Sequence, residues 1–406
     1  MRKLLLAFTI IMSAAIVLPD SVDAQIFGGK NKRRKSAKRI GSFSGSKRLF
    51  NPEISYYSFG GGINALNYFG EIAPTSSAAS TDISFTRPGI NLFIQQRFGD
   101  RYSWKANLMW GRLQGSDQET IGEGNFTTEN ANRYLRNLDF RNDIIELTAQ
   151  GRVDLFKHSG RFSSRPPFNV YVTFGVGVFY HNPKGLAPEY FSTDAFQVDN
   201  PGDFEGTRYY PLEQSGQWVS LRELGTEGQF ADQATRDEYK NAFGKDLPDP
   251  YSRFQLVIPL GIGARYKLTN NLDIALDLSY RHTFTDYLDD VSGEYVDLGV
   301  FGNPSDPNAA LAMAMSDKSN QFDANTFIES IQPVLYTQRI DNKTSSLNPD
   351  FTWRRAAGYG SNGGFGNDDP RRNIRGNPRD NDIYIVTNIS VSYILSGGLV
   401  KGAKFR

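Results

Sequence analysis

Between Tyr251 and Phe284 the chain reads YSRFQLVIPLGIGARYKLTNNLDIALDLSYRHTF, and its polarity changes at nearly every residue. Phe254, Leu256, Ile258, Leu260, Ile262, Ala264 and Tyr266 share one face. Gln255, Gly261, Gly263, Arg265 and Lys267 share the other, together with Val257 and Pro259. After a polar turn at Asn270-Asn271, Leu272, Ile274, Leu276, Leu278 and Tyr280 oppose Asp273, Ala275, Asp277, Ser279 and Arg281. A period of two, held for about thirteen residues before a tight turn, specifies a long β-hairpin. Strands of soluble proteins usually end after about five or six residues. Long strands with one apolar and one charged face fit a transmembrane barrel, apolar toward lipid and polar toward the lumen. The competing fold is a half-solvated sheet of a soluble sandwich.

The rest of the chain decides between the two. Further alternating segments run over Glu53–Asn64, Gly89–Phe98, Tyr102–Arg112, Asn142–Phe156, Asn169–His181 and Asp382–Leu395. With the hairpin they make eight strands, an even number as single-chain bacterial barrels require. Short turns (99–101, 157–168, 269–271) alternate strictly with longer loops (65–88, 113–141, 182–250, 286–381). That rhythm belongs to an all-β, eight-stranded antiparallel up-and-down transmembrane barrel with periplasmic turns and long extracellular loops. It places both ends of the barrel segment, 53–395, in the periplasm, along with a C-terminal tail over 396–406.

Composition agrees. Mean hydropathy is −0.46, too polar for a bundle of membrane helices, but barrel strands are apolar on one face only. Aromatics make up 13% of the chain, with 20 Tyr and 29 Phe, which suits aromatic girdles at two membrane interfaces. Residues 1–24 read as a cleaved secretory signal: Arg2 and Lys3, an apolar run from Leu4 to Leu18, and Val22-Asp23-Ala24 as the cleavage site. The expected address is the bacterial outer membrane. The chain has no cysteine, which removes disulfides, thiolate metal sites and a cysteine nucleophile. A basic arm follows over 25–52, with nine Lys/Arg and no acid, including Lys32, Arg33, Arg34, Lys35, Lys38 and Arg39. Such a run does not bury enough apolar surface to fold alone. In the periplasm it reads either as a solvated arm or as a binding site for an acidic partner protein or the anionic cell wall. The export signal argues against nucleic acid.

An eight-stranded barrel is just wide enough for side chains to fill it. The inward faces supply Lys105, Glu146, Arg152, Asp154, Arg265, Lys267, Asp273, Asp277 and Arg281. Both signs are present, as a closed, ion-paired plug needs if no buried charge is left unpaired, and a conducting pore is not expected. No enzyme is expected either. The three histidines are His158 in a turn, His181 at a strand end and His282 near the outer rim, and Ser279 and His282 fall on opposite faces of their strand. Neither GxSxG nor HExxH occurs. Loop 182–250 is acidic, and Asp289, Asp290, Asp297, Asp368 and Asp369 stand out in loop 286–381. Without an EF-hand or glycine-rich calcium repeat these read as scattered surface acids, with no metal or cofactor expected.

The segments FGGGINALNYFGEIAP (59–74), FTRPGINLFIQQRF (85–98), RNLDFRNDIIELTAQ (136–150) and FGVGVFYHNPKG (174–185) carry a family resemblance. So do the hairpin continued through TDYLDDVSGEY to 295, and RGNPRDNDIY (375–384). In these the chain resembles the PorG-like outer-membrane barrels of Bacteroidota, associated with the type IX (Por) protein secretion system. The basic arm and loops 182–250 and 296–370 lie outside the matching pieces. The resemblance implies an accessory, non-enzymatic role: a barrel in outer-membrane lipid that tethers periplasmic ring proteins of the secretion machine. The alternative is a stand-alone structural or adhesin barrel whose acidic outer loops bind ligands.

Overall fold

The computed structural model describes residues 55–72, 86–119, 133, 136–158, 160–192, 209–319, 341–344, 346–347, 352–355 and 375–395. The signal segment, the basic arm with Lys32, Arg33, Arg34, Lys35, Lys38 and Arg39, the tail 396–406, and Asp368 and Asp369 lie outside the described residues.

Eight long strands build the molecule: β1 (Tyr56–Phe69), β2 (Arg87–Arg97), β3 (Tyr102–Ser116), β4 (Asp139–Asp154), β5 (Phe168–Tyr180), β6 (Phe254–Lys267), β7 (Leu272–Thr283) and β8 (Ile383–Ile394). Each pairs antiparallel with its neighbours in sequence. β1 also pairs with β8, from Ser58 opposite Ile394 to Phe69 opposite Ile383, so the eight long strands close into a barrel. The fold is the closed, up-and-down, eight-stranded barrel expected from the alternation.

The outward face is apolar all round. Ile63, Leu92, Val176, Leu256 and Leu276 are each more than half exposed. A continuous apolar girdle of this kind far exceeds the isolated patches tolerated on soluble proteins and is the lipid-facing band of a membrane barrel. Outward aromatics bracket it: Tyr102, Trp104, Phe168, Tyr266 and Tyr393 toward the short turns, and Trp110, Phe254 and Phe284 toward the long loops.

Several strands overrun the expected bounds on the long-loop side. β1 continues to Phe69 through residues read as loop, β3 reaches Ser116, and β4 begins at Asp139. The cause is an inversion of polarity. Above the lipid band the outward residues meet water, as in the Arg112–Asp143 ion pair across β3 and β4. The inward ones, Leu66, Tyr68, Leu113, Phe140 and Ile144, enclose a buried apolar core.

The long loops are ordered where described and roof the barrel. Short strands Pro183–Leu186 and Trp218–Ser220 extend the sheet beyond β4. Helix α1 (Gln233–Phe243) starts where the Asp232 carboxylate accepts the Thr235 amide proton and stops at Gly244, φ 67°. Helix α2 (Pro307–Ser316) starts at Asp306 with proline in its first turn. Its sequence, PNAALAMAMS, has no charge, and Ala309 to Ser316 are all buried against Phe191, Leu212, Leu221 and Leu298.

Candidate functional site

The alternation that forms the strands also fills the lumen, and it does so in layers. Nearest the short turns, Asp154 accepts from Arg97 at 2.6 Å and from Arg152 at 2.8 Å. Asp273 sits between Arg265 at 3.1 Å and Arg165 at 2.6 Å. Arg165 comes from the β4–β5 turn and also donates to the carbonyls of Phe162, Thr269 and Asn270, tying two turns together. Midway, the Tyr171 hydroxyl donates to Asp277 at 2.6 Å, and the Arg152 guanidinium lies 3.4 Å from the centre of the Tyr171 ring. Asn388 donates to Asn64 and Asn91, and Asn91 to Asn107. A side chain at position 62 would meet the Asn388 amide at 2.7 Å, so glycine in the Gly60-Gly61-Gly62 run makes room for this ladder. The lumen space among these groups is about 20 Å³, enough for one water and not for a channel. Above it, Glu146 accepts from Arg281 at 2.8 Å and from the Tyr384 hydroxyl at 2.7 Å.

Glu146, Arg152, Asp154, Arg265 and Arg281, all expected inside, are therefore brought into ion pairs within the lumen. Lys105 and Asp277 also point inward, but neither forms an ion pair among the described residues. Lys105 lies 4.6 Å from the centre of the Phe93 ring, and Asp277 is met by a phenol. Lys267 is at the rim, bonded to the Ser163 carbonyl. His282 points outward on β7 and Ser279 inward, so the two stay on opposite faces. Sequence reasoning missed Arg165, hidden in a turn, and the phenols Tyr171 and Tyr384, which carry no charge to single them out.

A second buried polar layer caps the barrel on the long-loop side. It joins TDYLDDVSGEY (285–295) to RGNPRDND (375–382). Arg375 pairs with Glu227 at 2.9 Å and donates to the Asp290 carbonyl, while Glu227 accepts from the Ser292 and Gly293 amides. Arg136 pairs with Asp117 at 2.6 Å and donates to the carbonyls of Glu71 and Arg375. Asp290 holds a left-handed φ of 67°, fixed by hydroxyls from Tyr251 and Thr226. Asp289, Asp290 and Asp297 are thus not scattered surface acids. All three are buried and bonded, Asp289 and Asp290 within the cap and Asp297 at the start of the helical turn Leu298–Phe301.

At the base of the cap, Glu71, Asp286 and Asp382 each place a carboxylate oxygen within 4.8 Å of the other two. Asp289 stands beside them, sharing the Tyr68 hydroxyl with Asp382 at 2.7 and 2.6 Å. Burial raises the pKa of Asp286 to about 8, with Asp289 and Glu227 adding to the rise and the nearby Ser292 hydroxyl easing it. Burial and neighbouring carboxylates push Glu71 and Asp382 in the same direction. Burial raises Asp290 to about 7 against the pull of Arg375.

No protein-family model matches the sequence, and no curated protein matches it. Among solved structures, the chain is similar to Ail, the attachment invasion locus protein of Yersinia pestis, in complex with the heparin analogue sucrose octasulfate (8% identity, 84% of this chain and 97% of that one, TM-score 0.27). It is similar to Neisserial surface protein A (6% identity, 83% and 96% covered, TM-score 0.29) and to a major outer membrane protein from Thermus thermophilus (13% identity, 84% and 99% covered, TM-score 0.29). The closed eight-stranded topology and its apolar girdle are, on their own geometry, those of a transmembrane β-barrel.

Proposed function

We propose that this barrel is an anchor of the type IX protein secretion machinery, held in outer-membrane lipid and tethering periplasmic ring proteins. The observation that carries the reading is the filled and roofed lumen. A barrel plugged by Arg97, Asp154, Arg265, Asp273, Glu146 and Arg281 suits a fixed point in the membrane and not a conduit for protein. Two further features support it. The segments with the most specific resemblance to PorG-like barrels, 285–295 and 375–382, are the ones that build the cap. The strand order turns the start of β1 and the end of β8 to the short-turn face, which this reading takes as the periplasmic one.

The adhesin reading draws less support from loop 286–381, because Asp289, Asp290 and Asp297 are buried; in loop 182–250 Glu227 is buried as well, while Glu213, Glu223, Asp232, Asp237, Glu238, Asp246 and Asp249 are exposed. The test is a crosslinked pull-down of the tagged chain from native outer membranes. Ring components should be recovered, and lost when Lys32 to Arg39 are removed. Recovery of only lipopolysaccharide and abundant porins would sink the anchor reading.

A further inference from the structure

Glu71, Asp286 and Asp382 leave three adjacent strands at the same height: Glu71 follows β1, Asp286 follows β7, and Asp382 precedes β8, which lies between them. All three are more than nine-tenths buried. Their bonding is incomplete in one direction only. Asp382 is fully engaged, with Oδ1 taking the Tyr68 hydroxyl and Oδ2 the Leu288 amide. Glu71 uses Oε1 for the Asn377 amide and leaves Oε2 with no hydrogen-bond partner, and neither oxygen of Asp286 forms a hydrogen bond of good geometry, the Ser292 hydroxyl only standing near them. Three carboxylate oxygens of Glu71 and Asp286 are therefore orphaned in a buried space where one oxygen from each of Glu71, Asp286 and Asp382 lies within 4.8 Å of the other two. The nearby guanidiniums do not answer them, since Arg136 is committed to Asp117 and Arg375 to Glu227. The backbone is shaped to allow this crowding: a Cβ at Gly70 would fall 1.9 Å from the Tyr68 hydroxyl and 2.0 Å from Asp382 Oδ1.

An unpartnered buried carboxylate is costly, and an isolated cluster of them is costlier through mutual repulsion. Hard oxygen donors in flexible number, several of them anionic, are the ligand set of Ca²⁺. Mg²⁺ demands tighter octahedral geometry and keeps its waters. We propose that Glu71, Asp286 and Asp382 form a calcium site in the cap, with Asp289 as the adjoining anion that orients Tyr68. The cation clasps the ends of β1, β8 and β7, the seam where the first and last strands close the barrel. The site does not depend on the secretion reading and would serve an anchor or an adhesin equally.

The test uses the full chain folded in detergent micelles, stripped with a chelator and titrated with calcium chloride alone. One Ca²⁺ per chain should bind. At calcium 100 times its dissociation constant, the unfolding equilibrium constant should fall about 100-fold. Asp286→Asn, which keeps the shape and removes an unpartnered charge, should fold but lose this response, as should Glu71→Gln. Asp249→Asn, at an exposed acid, should keep it. No calcium response up to about 10 mM, above the weakest extracellular sites, would overturn the proposal. So would an equal response in wild type and both cap variants.

Discussion

Asp154, like Asp273 in the same layer, neutralises two guanidiniums with one carboxylate, here those of Arg97 and Arg152. Replacing a whole buried ion pair by apolar groups is often nearly neutral, but removing one partner strands a buried charge. Asp154→Asn strands two guanidiniums and should cost about 3–5 kcal/mol, read as a lower urea midpoint for the barrel in lipid vesicles. His181 makes a different kind of demand. It is fully buried, stacked on Tyr251, with Nε2 3.2 Å from the Ser252 carbonyl. Burial lowers its pKa to about 4, the Ser252 carbonyl opposes the shift, and Arg222 and Arg253 add to it. The folded ring therefore stays neutral where an unfolded histidine, titrating near 6.5, takes up a proton. Stability from this residue is full above about pH 6.5 and is lost as the pH falls toward 4, by roughly 3 kcal/mol in all. His181→Gln should flatten that part of the pH profile of the unfolding midpoint. An unchanged acid slope would show that His181 is not its source.

At the scale of elements, the strands were legible where lipid lies outside and water-loving groups lie inside. From Ile90 to Arg97 on β2 and from Ile145 to Asp154 on β4, every inward and outward assignment follows the alternation. Legibility failed where the environments trade places. Leu66 and Tyr68 point inward while Asn67 points out, so the pattern of β1 reads as ending just where the cap begins. The cap itself could not be read from spacing, since Glu71, Asp117, Arg136, Glu227, Asp286 and Arg375 come from four loops that only barrel closure assembles. One of its links is Arg375, which joins Glu227 to the backbone of Asp290 and, through its own carbonyl, to Arg136. Arg375→Ala leaves the buried Glu227 carboxylate without its cation and should free the loops before it unfolds the barrel. Limited proteolysis should then cut within 284–319 faster than in wild type, while the strands keep their heat-resistant migration on gels. Equal cleavage rates would show that the cap holds without Arg375.

For the whole molecule, the decisive property is the relation between barrel width and contents. Eight strands enclose a bore that side chains can fill, and here they fill it in successive layers: Arg97 and Arg165 with their aspartates, the asparagine ladder, Glu146 with Arg281, then the apolar core and the cap. An ion would have to break several buried pairs in series, each costing several kcal/mol to open without its partner. The purified barrel in a planar lipid bilayer should therefore show no conductance above the bare membrane. Deleting the cap alone should not create one, because the layers at Asp154 and Glu146 lie beneath it and do not depend on it. Thinning both layers together, with Asp154→Ala, Arg97→Ala and Arg152→Ala in one and Glu146→Ala and Arg281→Ala in the other, should open an ion-sized path in barrels that fold, as judged by heat-resistant gel mobility. Steady channels from the unaltered protein would contradict the plugged lumen, and with it the reason for treating this barrel as an anchor rather than a passage.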